Sequence, residues 1–305
     1  MTKHTLRIAT RKSDLALWQA RHVAARLSAL DSVEQVELVP MVTKGDQILD
    51  KALNKVGGKG LFIKELEHAM LAHEADLAVH SMKDVPAVMP EGFTIASVLE
   101  REDPRDALVG AKLDDLPSGA VVGTSSLRRA SQLRLLRPDL DIRPLRGNVN
   151  TRLAKLDAGD YAAIVLACAG LKRLGMADRI TEALDTEQML PAVGQGIVGI
   201  ECLDNRPDLI ALLGELDSGE SSAAIGAERA VAMTLEATCH SPLGVHATLL
   251  PDDQIVVRAL LTSTDGTRAI HEHITGNVAD ADVLGNTIAT RMLAQGAAEL
   301  IEQAV

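Results

Sequence analysis

In VGTSSLRRASQL, residues 122–133, Gly123, Thr124, Ser125 and Ser126 follow a short apolar run and open a helical pattern that contains Arg128 and Arg129. Backbone amides at such a helix start, three hydroxyls and two guanidinium groups could face one carboxylate or phosphate. An ordinary N-cap followed by two solvated arginines uses the same residues, and the stretch alone does not separate the two readings. In LRGNVNTRL, residues 145–153, Arg146 falls at a strand end and Arg152 on the next helix. Arg11 and Ser13 follow the strand-like LRIAT, and Lys83 and Asp84 follow DLAVHS. Open α/β sheets bind ligands where strands end and helices begin, so four such positions carry more weight than any one.

Asp84 is the only acid in HSMKDVP, residues 80–86. A carboxylate there could accept a substrate N–H and stabilise positive charge developing beside it. On local sequence alone a salt bridge to Lys83 or an N-cap explains it better. His80, on the same strand, reads as a satisfied structural histidine. Cys168, Cys202 and Cys239 form no CxxC and cannot all pair, which fits a reducing compartment without structural disulfides. Cys168 and Cys202 read as small buried hydrophobes, and the local sequence of Cys239 allows the same. His68 and His73 are five apart, and His271 and His273 belong to an alternating strand, so no metal site is expected. Gly57-Gly58-Lys59-Gly60 lacks the Ser or Thr and the preceding strand of a nucleotide loop.

The elements that must position these groups follow an α/β pattern. LRIAT, SDLALWQARHVAARLSAL and VELVPMV predict strand, helix and strand. Ser13 is the expected N-cap, and Leu15, Trp18, Val23, Leu27 and Leu30 form the expected apolar face, which places Trp18 in the core. A helix is predicted over about residues 61–73. Strands are predicted at DLAVHS, FTIASVL, AVVGTSS, DIRPLRG and AAIVLACAG. EREDPRD, residues 100–106, reads as one crossing between domains, and PAVGQGIVGIEC, residues 191–202, as a second. A helix over residues 219–236, a loop holding Cys239, two or three strands and a closing helix from about Asp280 complete the chain. Residues 44–60 carry four glycines and four lysines without periodicity, which suits a surface linker or a lid over an anionic substrate. No internal repeat is visible.

The chain's 305 residues predict two or three compact units. Apolar residues make up 47% but aromatic residues 1%, leaving only Trp18, Phe62, Phe93 and Tyr161 as large rings. Single-strand nucleic-acid readers need several stacking rings, so that class is disfavoured. The net charge of −11 is uneven, because residues 201–305 hold 5 basic and 16 acidic side chains. Residues 121–155 hold eight basic side chains against Asp139 and Asp141, a local excess suited to a small polyanion or to a solvated helix face. MTKHTLRIATR lacks the apolar run of a signal peptide, and no uncharged run approaches a bilayer span, so a cytoplasmic protein without a membrane partner is expected.

Taken in order, KVGGKGLFIKELE (55–67), HSMKDVP (80–86), EREDPRDALV (100–109), VGTSSLRRASQL (122–133), LRGNVNTRL (145–153), AGLKRLG (169–175) and LPAVGQGIVGIEC (190–202) resemble the porphobilinogen deaminase family. The resemblance covers roughly the first two thirds of the chain and is loose over the last 60 residues. It implies two α/β domains of the type II periplasmic-binding-protein kind with an active cleft between them, and a smaller C-terminal α+β domain. On this sequence these are residues 1–99 plus 197–217, residues 100–196 and residues 218–305.

The implied activity is that of a hydroxymethylbilane synthase, a monomeric transferase of tetrapyrrole and haem synthesis. It deaminates four porphobilinogen molecules, joins them head to tail on a dipyrromethane primer, and hydrolyses off the linear tetrapyrrole. The resemblance places the primer on Cys239 through a thioether, although Ala237 and Thr238 stand where the family commonly has two glycines. It implies Asp84 as the catalytic acid and Lys83, Ser13, Thr124, Ser125, Ser126, Arg128, Arg129 and Arg146 as cofactor-binding residues. Arg11, Arg146, Arg152, Arg173, Lys55, Lys59 and Phe62 are implied at the substrate. A non-catalytic anion receptor of the same fold would not need Asp84 and Cys239 together. A sugar-phosphate or nucleotide transferase gives no reason for a lone cysteine in the last domain.

Overall fold

The structure is a computed structural model that describes residues 4–43, 63–238 and 240–304. Its strands, numbered in chain order, are β1 (His4–Arg11), β2 (Val33–Met41), β3 (Leu77–Ser81), β4 (Phe93–Val98), β5 (Asp106–Val109), β6 (Val121–Gly123), β7 (Asp141–Arg143), β8 (Ala163–Ala167), β9 (Glu182–Leu184), β10 (Val198–Leu203), β11 (Leu243–Leu250), β12 (Gln254–Thr262) and β13 (Ala269–Asn277). Two compact units divide the chain, residues 1–101 with 197–222 and residues 102–196 with 223–305.

The first unit is built on a sheet of order β2-β1-β3-β10-β4. β1 runs parallel to β2 and β3, while β10, returning late in the chain, lies antiparallel between β3 and β4. Helices cover both faces, so the central strands read as continuous apolar runs and not as alternating ones. Leu6, Ile8, Leu77, Val79 and Ile200 pack against the helix Asp14–Leu27, whereas Ala9, Ala78 and Phe93 pack against Leu66 and Met70 of the helix Lys64–Leu71.

The buried stripe of the helix Asp14–Leu27 is Ala16, Gln19, Ala20, Val23 and Leu27. Trp18 is therefore not at the centre of the core as expected. It is half-buried beside the stripe and stacks on His22, with ring centroids 5.0 Å apart. Two alanines let the helix approach the sheet where larger residues would hold it off.

The second unit repeats the plan in the order β7-β6-β8-β5-β9, with β6 parallel to β7 and β8, and β5 antiparallel to β8 and β9. β6, β7, β8, β5 and β9 hold the places that β1, β2, β3, β10 and β4 hold in the first unit. The chain is thus a topological repeat without a visible sequence repeat, because a buried sheet requires apolar volume and strand order and not particular residues.

The last third carries the helix Gly219–Thr234, the antiparallel meander β11-β12-β13 and the helices Ala281–Ala294 and Ala297–Glu302. It is tied to the α/β part of its unit by buried polar contacts. Val245 N–H donates to Pro191 O at 2.9 Å, and Thr262 Oγ1 to Ser131 Oγ at 2.6 Å. Glu228, fully buried, accepts the amides of Gly194 at 2.7 Å and Ala247 at 2.8 Å. Gly244 passes so close to this seam that a Cβ would lie 2.7 Å from Leu190 O, so only glycine fits. Among the described residues no helix is long and apolar enough to cross a membrane.

Candidate functional site

In the first unit the expected residues gather at the ends of two neighbouring parallel strands. β1 ends at Arg11, and Ser13 caps the following helix by accepting from Ala16 N–H at 3.4 Å. The local pattern of a polar cap before an amphipathic run is enough to start that helix. β3 runs out into a single 3₁₀ turn, Met82–Asp84, which carries Lys83 and Asp84. Gln19 of the adjacent helix donates to Ser81 Oγ at 2.8 Å and fixes the strand end.

Asp84 is exposed and has no hydrogen-bond or ion-pair partner among the described residues, so neither a bridge to Lys83 nor a helix cap accounts for it. His80 is buried and bonded through Nε2 to Glu201 Oε2 at 2.7 Å, as a structural histidine should be.

In the second unit the equivalent strand end is built differently from the expectation. Ser126 is the N-cap and accepts from Arg129 N–H at 3.4 Å, Thr124 Oγ1 accepts from Ser126 N–H at 3.2 Å, and Ser125 Oγ donates to Leu145 O at 2.8 Å.

Arg128 and Arg129 are not solvated arginines, being 4% and 6% exposed. Both close on Asp106, which is completely buried at the start of β5: Arg128 Nη1 lies 2.7 Å from Oδ2, and Arg129 Nε and Nη2 lie 2.9 and 2.7 Å from Oδ1. Gln195 Nε2 adds a fourth donor at 2.9 Å.

Burial by itself would raise the Asp106 carboxyl; the two guanidinium groups outweigh it and hold the group well below the usual carboxylate range. Guanidinium groups stay protonated in proteins, so the cluster carries one net positive charge in a dry setting. Arg128 Nε is buried with no hydrogen-bond partner among the described residues. A buried donor left unpaired is costly, and an anion at that point would satisfy it.

The remaining cations line the other strand ends of the same unit. Arg146 follows β7, and Arg152 Nε donates to Gly147 O at 2.8 Å on a helix capped by Asn148. Arg173, in the helix after β8, donates to Gly196 O at 2.7 Å, and burial lowers its pKa. Lys55, Lys59, Phe62 and Cys239 lie outside the described residues.

Asp106, Gln195, Gln19 and Glu201 are the partners that the sequence did not announce. Asp106 sits in EREDPRD, where it read as one acid of a charged crossing. Cys168 and Cys202 are fully buried, and burial pushes their thiols up to about 12 and about 11. Among the described residues no group of three or more His, Cys, Asp or Glu could hold a metal ion.

Charged and hydroxylated strand ends on two matching α/β sheets, backed by a buried net positive charge, define a protein that handles small polyanions. Comparison with known proteins gives the family. The profile described as porphobilinogen deaminase, dipyromethane cofactor binding domain, matches residues 6–211, and that described as porphobilinogen deaminase, C-terminal domain, matches residues 223–294. A porphobilinogen deaminase from Laribacter hongkongensis (strain HLHK9) is 52% identical over 298 residues, covering 97% of this chain and 96% of the relative.

Solved structures similar to it include the periplasmic VFT2 domain of Bordetella pertussis BvgS, with 14% identity, 70% of this chain and 86% of that chain covered and a TM-score of 0.41. A second is a substrate-binding domain of a putative amino acid ABC transporter from Streptococcus pneumoniae, with 12% identity, 70% and 91% covered and a TM-score of 0.43. The chain belongs to the porphobilinogen deaminase family. It is an enzyme with that family's hydroxymethylbilane synthase activity and a dipyrromethane-cofactor-binding domain.

Proposed function

We propose that the chain holds its dipyrromethane through a thioether to Cys239 and activates each porphobilinogen at Asp84. The observation that supports this most directly is the buried Arg128–Arg129–Asp106 cluster, whose single net positive charge and unpaired Arg128 Nε fit a carboxylate of a pyrrole acid. When bound, the cofactor supplies the free pyrrole α-carbon to which substrate is joined. The chain's residues then have three tasks: binding carboxylates, orienting pyrrole N–H groups and stabilising positive charge as ammonia leaves.

Arg128, Arg129 and Arg146 with Lys83 take carboxylates of the cofactor, and Ser13, Thr124, Ser125 and Ser126 surround them with neutral polar groups. Arg11, Arg152, Arg173, Lys55, Lys59 and again Arg146 meet the carboxylates of incoming substrate, and Phe62 packs on a pyrrole ring. Asp84 accepts a pyrrole N–H and stabilises the electron-poor methylene-pyrrole that forms when the carbon–nitrogen bond breaks. In each round the carbon–nitrogen bond of the substrate would break and a carbon–carbon bond would form in its place, with ammonia leaving and the displaced proton passing to solvent. Four rounds and one hydrolysis release the tetrapyrrole.

The enzyme works in this scheme as a cytoplasmic monomer with no nucleic-acid or membrane partner, folded as residues 1–99 plus 197–217, 100–196 and 218–305. Its test is the mass of the denatured protein. An excess equal to a dipyrromethane, mapped to Cys239 and lost in Cys239→Ser, is the expected result. Fully active protein with an unmodified Cys239 would overturn the proposal, as would an adduct on Cys168 or Cys202.

A further inference from the structure

Asp84 has no side-chain partner among the described residues, so its carboxylate is placed by its backbone. That backbone is one 3₁₀ turn, too short to hold itself. It is fixed from β10. Met82 N–H donates to Ile197 O at 3.0 Å, and the Met82 side chain, 1% exposed, fills the space over Gly199 that any Cβ there would need. On the same face, across the β3–β10 ladder, His80 Nε2 meets Glu201 Oε2 at 2.7 Å. His80 is 7% exposed and Glu201 not at all, and Glu201 Oε1 has no hydrogen-bond partner among the described residues, so among them the carboxylate's hydrogen bonding goes to His80 through Oε2. Glu67, on the helix Lys64–Leu71, adds another carboxyl close by, raised by its burial and next by the charge of Glu201.

Burying such a pair gains little stability, since well-packed apolar residues of similar volume do as well or better. What a short, directional bond supplies at this point is geometry. We propose that His80 and Glu201 are positioning residues for Asp84, clipping the last turn of β3 to β10 so that the carboxylate meets the substrate in one orientation. This rests on the assignment of Asp84 as the activating group.

A double-mutant cycle separates the two. Glu201→Leu should lower the single-turnover rate about ten-fold, with KM for porphobilinogen and the attached primer mass nearly unchanged. Glu201→Gln, which keeps an acceptor for His80, should recover most of that loss. In an Asp84→Asn background Glu201→Leu should add less than about two-fold, because the group it positions is already disabled. Equal losses in both backgrounds, or an unchanged rate in Glu201→Leu, would overturn the proposal. If Glu201→Leu does not fold, His80→Gln goes through the same cycle with the same two outcomes. Near-normal turnover in Asp84→Asn alone would remove the underlying assignment and this proposal with it, an outcome visible without the cycle.

Discussion

Asp106→Asn tests the central construction of the second unit. In the native protein one buried carboxylate receives four donors from Arg128, Arg129 and Gln195 at 2.7–2.9 Å. Asparagine keeps the shape and one acceptor oxygen, but turns an N–H₂ toward a guanidinium and leaves two buried cations without a counter-charge. Removing one partner of a buried ion pair costs ~3–5 kcal/mol. Against a total stability of ~5–15 kcal/mol this is a large share, and for a unit of this size it lowers Tm by roughly 6–20 °C. Thermal unfolding at pH 7 reads the shift, and denatured mass on the folded fraction reads primer content, which should fall because both arginines lose their fixed orientation.

The pH dependence has a definite sign. The folded-state carboxyl lies below its unfolded value, so its contribution is complete above the unfolded pKa of ~3.9 and is lost only as pH falls toward the folded value. The gap in Tm between wild type and variant should therefore be constant from about pH 5 to 7 and shrink in stronger acid. A Tm drop under about 2 °C with normal primer content would refute the view that Asp106 holds the arginine pair.

Arg134→Leu, one turn further along the same helix, loses a 2.6 Å bond from Nη1 to Thr264 O and should cost ~1 kcal/mol in unfolding experiments while primer content stays normal. Cys168 and Cys202, with thiols pushed up by burial to about 12 and about 11, should resist a thiol reagent at pH 8 until the protein unfolds; rapid labelling of either in native protein would contradict their burial. Glu67→Gln should raise Tm at pH 7 but not near pH 4. The raised carboxyl pKa means that the folded state favours the protonated form, so stability falls as pH rises through that pKa and a neutral amide escapes the loss. An equal Tm change at both pH values would show that ionisation of Glu67 is not the cause.

Strand ends and helix starts were readable because they rest on local rules. Ser13 and Ser126 cap the helices that follow them, and Lys83 and Asp84 do end a strand. The topological repeat leaves no trace in the sequence, since β1 and β6 share a place in the sheet but no residue pattern. The burial of Asp106 is hidden for a related reason. Its partners lie 22 and 23 positions away on a helix and 89 away on a returning segment, and only sheet formation brings them together. In a charged, proline-bearing stretch a carboxylate destined for full burial looks the same as a solvated one. Trp18 is the opposite case: hydrophobicity points to one face, but the small residues Ala16 and Ala20, which contribute little to an apolar count, decide which side of the helix can approach the sheet.

Glu228 bears on how the chain can be cut. Its carboxylate satisfies two amides at once, Gly194 from the segment before β10 and Ala247 from the middle of β11. A gene fragment ending near residue 222 would leave Gly194 N–H without its acceptor and strip Pro191 O of its donor from Val245. The expressed piece would carry unpaired backbone groups where the native chain has a dry seam, and exposed groups of that kind invite pairing with other chains. The C-terminal portion is thus a poor candidate for grafting or for removal as a module. Fragments that keep residues 102–196 and 223–305 together, joined by a designed linker, are the ones expected to stay in solution.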